Sequence, residues 1–202
     1  MRGPGPARTH TFDPVLVGNR ESDAWAAYYR HEWRALLVAA VGMVGAGFGM
    51  RSHKTLIGAW HVLRANQLWA PYPDNDPDGA RRSMRRFYAL VLRDSHLTFD
   101  PARAAELEVE WWRVHRARHH DPDVPEEALV QALVNLYSYV YSGPPESMTA
   151  AARHRVEAMD LSDQWVRAGC AKDDPLLTAE RRALVASYSA LHTAVSLGPP
   201  SG

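Results

Sequence analysis

A chain of 202 residues, 46% hydrophobic and 23% charged, has the size and balance of one globular domain with a substantial core. Its 23 Lys and Arg match its 23 Asp and Glu, which argues against nucleic acid or an anionic membrane as a bulk electrostatic partner. A lone cysteine, Cys170, excludes an internal disulfide and a cysteine metal cluster, and points to a reducing cytoplasm.

Residues 1–21 lack the apolar run of a signal peptide and read as a disordered lead-in. The domain is expected over 22–196, with 197–202 as a disordered tail. Helical signals begin after Ser22, an N-cap candidate before Asp23–Tyr29. Ala35–Met50 then runs without a charge between Arg34 and Arg51. A membrane span needs about 20 apolar residues, and the glycines here weaken an isolated helix. The stretch is expected as a buried central helix, with an interfacial hairpin as the other reading. Gly45-Ala46-Gly47-Phe48-Gly49 resembles the start of a dinucleotide-binding fingerprint, but the third glycine is displaced and no carboxylate follows before Asp74. Close helix packing accounts for these glycines.

Ser52–Trp69 reads as a helix with Leu56, Trp60, Leu63 and Gln67 on one face. Asp74, Asp76, Asp78 and Gly79 imitate the opening of a calcium loop, yet Arg85 stands where the bidentate glutamate belongs. The segment is expected to be a turn whose Asp78 caps a helix over Ala80–Ser95. That helix carries Arg81, Arg82, Arg85 and Arg86, a guanidinium cluster suited to an anion but more often a solvated face.

Asp100-Pro101 opens the most informative helix, with a capping carboxylate and a proline at the first helical position. At about 100° per residue, Ala104, Leu107, Trp111, Val114 and His115 share one face, with Glu108 and His119 on the same side. His115 in the middle of this stripe is either a core histidine satisfied by a carboxylate or carbonyl, or a ligand. Asp123 and Glu126 resemble a capping box before Glu126–Tyr141, Ser147–Ala168 ends at Gly169, and Thr178–Val195 closes the chain. About seven helices and no defensible strand make an all-α domain. Nucleophile elbows, a P-loop and paired Glu-x-x-His helices are absent.

From Arg34 to Ala190 the order of features resembles the all-α oxygenase family that includes MpaB-type enzymes and bacterial rubber oxygenases. The counterparts are the glycine-rich helix Ala35–Met50, the turn Asp76–Arg81, the helix Val109–His119, the pair Leu129–Glu157 and Ala168-Gly169. The resemblance implies a globin-related fold and haem b held through His115 as iron ligand, with His119, Trp111, Arg82 and Ser83 about the cofactor. It implies an oxygenase acting on a small apolar molecule. Arg82-Ser83 stands for the family's arginine–threonine pair, and Gln131 falls where a second family histidine belongs. The competing function is a non-catalytic helical protein that binds a protein partner or a small apolar ligand, the seven tryptophans forming its core and groove.

Overall fold

The computed structural model describes residues 12–48 and 52–196. It contains α1 (Pro14–Tyr29), α2 (Trp33–Phe48), α3 (Ser52–Trp69), α4 (Pro77–Asp94), α5 (Pro101–His120), α6 (Glu126–Tyr141), α7 (Pro145–Arg167) and α8 (Pro175–Ser196). No strand occurs among the described residues, so the chain is all-α. The glycine-rich motif therefore cannot follow a strand. Its Gly45 and Gly47 lie inside α2, facing Thr55 and Val17, while Gly49 falls outside the described residues.

The eight helices exceed the expected seven because α1 is a full helix beginning at Pro14, inside the segment read as a lead-in. Residues 1–11 and the expected tail 197–202 lie outside the described residues. Asp13 caps α1 by accepting hydrogen bonds from the Val15 and Leu16 amides at 2.9 and 3.0 Å. The same Asp-Pro device opens three more helices. Asp76, rather than Asp78, caps α4 through the Gly79 amide at 2.7 Å; Asp100 caps α5; Asp174 accepts from Leu176 N at 2.8 Å at the start of α8. Each carboxylate satisfies orphan amides, and each proline occupies a position whose N–H needs no partner. Gly79 belongs to this cap, since a Cβ there would collide with the Asp76 carboxylate. Asp78 pairs instead with Arg81 at 2.6 Å. Asp123 does not cap α6. That helix starts after Pro125 with no side-chain cap, and Asp121 holds the preceding turn through the Asp123 amide.

Each helix packs on its neighbours in the chain, and α8 packs back on α1, so the eight close into a ring. The closure is tight where Gly18 of α1 meets the backbone of Val185 in α8. Nearby, the buried Arg155 of α7 donates to Glu21 of α1 at 2.9 Å, and the Tyr188 hydroxyl of α8 donates to the same glutamate at 2.6 Å. Such a pair tolerates burial because its charges and hydrogen bonds satisfy one another. The apolar core fills the α4–α5–α6–α7 side with Met84, Phe87, Val109, Leu129, Leu133, Met148 and Val156.

The face of α3 differs from expectation. Thr55, Gly58, Ala59 and Ala65 are buried, while Leu56 and Trp60 are about half exposed. Small side chains let α3 approach its neighbours: Gly58 lies against Val44 and Phe87, where larger residues would not fit. No helix among the described residues is long and apolar enough to cross a membrane.

Candidate metal centre on a cavity wall

The ring encloses a cavity of about 530 Å³ to which every helix contributes side chains. Its walls are mainly apolar and aromatic, among them Trp25, Trp69, Phe87, Trp111, Leu133, Tyr137 and Met159. The volume lies within the usual range for a small-molecule site.

Three polar side chains converge at this wall. His115 and His119 stand one helical turn apart on α5, which places both imidazoles on the same side. Asp163 approaches from α7. Its Oδ2 lies 3.2 Å from His115 Nε2 and 2.7 Å from His119 Nε2, and the three ligating atoms lie within 4.8 Å of one another. The imidazole centroids are 4.7 Å apart. Burial would raise the Asp163 carboxyl, but the hydrogen bonds and charges of His115 and His119 outweigh it and hold the group below the usual range. Tyr29 of α1 faces this carboxylate; burial, then the Asp163 charge, push its phenol up to about 12. It therefore stays protonated at neutral pH.

Glu108, placed by periodicity on the face of His115, lines the cavity but does not join the three. The Tyr88 hydroxyl donates to it at 2.7 Å, and burial raises its carboxyl. Its accessible surface faces the cavity. Arg116 of α5 also turns to the cavity wall. Its guanidinium lies 4.2 Å above the Trp69 ring and donates to the Trp69 carbonyl at 2.7 Å. Its Nη1 is buried without a partner, while the Trp111 indole N–H on the same helix reaches the Glu108 carboxylate. Burial lowers Arg116.

The sequence-derived residues divide cleanly. His115, His119 and Trp111 meet at the cavity. Arg82 and Ser83 do not line it: Arg82 is exposed 3.5 Å from Asp76, and Ser83 is buried with its hydroxyl on the His61 carbonyl at 2.9 Å. Sequence reasoning missed Asp163, Glu21, Arg155 and Arg116. A signal for two of them existed in α7, where Arg155, Met159 and Asp163 recur every four residues on an otherwise apolar face. Charged residues at core-facing positions mark either paired groups or ligands.

No family model, curated protein or solved structure matches this chain.

Two imidazole nitrogens and one carboxylate oxygen form a donor set that suits a divalent transition ion. His115 and Asp163 are mostly buried while His119 is 40% exposed, so such an ion would sit at the edge of the cavity. The arrangement can hold a Lewis acid or redox ion against an apolar molecule.

Proposed function

We propose that this protein is a metal-dependent oxygenase that acts on an apolar small molecule held in the ring cavity, with His115 as an iron ligand. The observation that carries the reading is the placement of His115, His119 and Asp163 together on the wall of an aromatic cavity. Two histidines and a carboxylate are the ligand set of non-haem ferrous oxygenases. Mainly apolar, aromatic walls favour a substrate with few polarised bonds, so oxygen chemistry suits them better than Lewis-acid hydrolysis.

Iron bound here would supply oxygen activation. The chain's own residues supply the rest. His115, His119 and Asp163 would hold the ion, the Tyr29 phenol holds a proton near that carboxylate, and the tryptophans line the apolar side of the cavity. The unpartnered Arg116 Nη1 fits a substrate bearing one polar acceptor.

Haem b on His115 is the second reading. The cavity volume and the unpartnered Arg116 nitrogen, which suits a propionate, favour it. It requires His115 Nε2 to turn from Asp163 toward the cavity, whereas a bare ion would replace the hydrogen bonds between Asp163 Oδ2 and the two Nε2 atoms without turning either ring away. The globin kinship and cytoplasmic placement rest on the feature order and on the single cysteine.

Absorbance and elemental analysis of protein purified from an iron- and haem-replete host test the proposal. About one iron per chain, without a Soret band and lost in His115→Ala and Asp163→Ala, supports the three-residue centre. A Soret band lost in His115→Ala and kept in His120→Ala supports haem. Protein that takes up neither, with His115→Ala lowering only its melting temperature, establishes the non-catalytic ligand-binding alternative.

A further inference from the structure

We propose that the outer face of the α2–α3 pair docks on an anionic lipid surface, setting the cavity beside the bilayer from which an apolar substrate would partition. Large apolar side chains are normally turned inward, and a cluster turned outward marks an interaction site. On α2, Trp33 and Val38 are 55% and 65% exposed; on α3, Leu56, Ile57 and Trp60 are 51%, 45% and 54% exposed. The two helices pack against each other, so these residues belong to one side of the ring rather than to scattered sites.

Charge decides between occupants. Between Glu32 and Asp74 the chain has no acidic residue, while Arg34, Arg51, Lys54 and Arg64 are cationic. Lys54 is neutralised by Asp94, whereas Arg34 and Arg64 are exposed. The chain has zero net charge, yet these two helices, which carry six of the ten large apolar side chains exposed among the described residues, bear cations and no carboxylate. Apolar side chains mixed with cations alone, and tryptophans among them, are the composition of an interfacial membrane contact. Carboxylates are also scarce at the core of protein–protein interfaces, but exposed Arg34 and Arg64 on two helices that bear no acidic residue favour an anionic surface. No helix among the described residues is long and apolar enough to cross the bilayer, so the contact is with its surface.

The face also adjoins the cavity. Leu37 is 41% exposed and lines it, and Leu36, Ala40 and Leu63 on the same two helices form part of its inner wall. Substrate supply through this side rests on the oxygenase reading, but the docking itself does not.

Vesicle co-sedimentation of the full chain tests the proposal. With vesicles of phosphatidylcholine containing about 30% phosphatidylglycerol the protein should sediment, and with pure phosphatidylcholine binding should fall about tenfold. Val38→Asp/Ile57→Asp replaces exposed side chains that do not line the cavity, so it should keep the far-UV spectrum and lose vesicle binding about tenfold or more. Arg34→Gln/Arg64→Gln should lose the preference for anionic lipid while keeping the apolar contact. Sedimentation velocity on the same proteins supplies the other arm. Wild-type protein that ignores anionic vesicles overturns the proposal, as does a dimer that Val38→Asp/Ile57→Asp makes monomeric. Unchanged metal content in these variants separates failure of docking from failure of the metal centre.

Discussion

Two carboxylates in this molecule respond to acid with opposite sign. Asp163 is held below the usual range by His115 and His119, against the effect of burial. A depressed folded value contributes stability that is present above the ordinary aspartate value and lost as pH falls through the lower, folded one. Asp163→Asn should therefore lower the melting temperature near neutrality and narrow its gap from wild type in strong acid. Glu180 is nearly fully buried. Burial raises it to about 7, against the Ser22 hydroxyl that donates to it at 2.6 Å. Here the folded state holds its proton longer than the unfolded one, so stability falls as pH rises from about 4.5 to about 7. Removing that penalty with Glu180→Gln should stabilise the protein at about pH 8, by up to about 3 kcal/mol, and change little near pH 4. Thermal melts across that range check both. A Glu180→Gln protein no more stable at pH 8 than wild type removes the argument.

Helices meet here at spacings set by small residues, and two glycines separate that role from mere tolerance. A Cβ on Gly18 would lie 2.9 Å from backbone atoms of Val185, which no rotamer change relieves. Among the described residues, a Cβ on Gly47 meets only Val17 Cγ2 at 4.0 Å, an ordinary contact. Both glycines sit inside helices, where alanine is intrinsically better by about 1 kcal/mol. Gly47→Ala should accordingly stabilise by a few tenths to about 1 kcal/mol. Gly18→Ala should destabilise by about 1–3 kcal/mol, because prying α1 from α8 outweighs the propensity gain. Urea denaturation of the pair decides the point, and a shift of equal sign in both would sink it.

At the scale of the whole molecule, the ring leaves a cavity rather than a filled centre. Eight helices, each packed chiefly on its two neighbours in the ring, surround space that their side chains line but do not occupy. A ligand that binds only this closed ring stabilises it, by about 2.7 kcal/mol at a hundredfold excess over its Kd. A naphthalene sulfonate, flat and apolar with one anionic acceptor for Arg116, should raise the melting temperature by about 5–10 °C under those conditions. Arg116→Gln should cut that shift, since it removes the unpartnered donor. Absence of any shift across apolar probes with and without an anionic group would deny the cavity a ligand-binding role.

The helices were legible in the sequence because their determinants are local. Asp-Pro pairs at 13–14, 76–77, 100–101 and 174–175 each start a helix, although only the pair at 100–101 is expected to, the other starts being expected after Ser22, at Ala80 and at Thr178. The pair at 121–122 opens none, since Pro125 follows before a helix can form. Periodicity along α5 likewise suffices to put His115, His119, Trp111 and Glu108 on one side. What that side meets was not local. Asp163 lies 48 residues beyond His115, Ser22 reaches Glu180 across 158, and both pairings exist only because the ring brings distant helices together. The outward turn of Leu56 and Trp60 was decided in the same way. Hydrophobicity places the larger side chains inside, but the closest approach between helices belongs to the smallest, and Thr55, Gly58, Ala59 and Ala65 took the inner face of α3. A helix's pattern names its candidate faces; only the shape of its neighbours determines which one is buried.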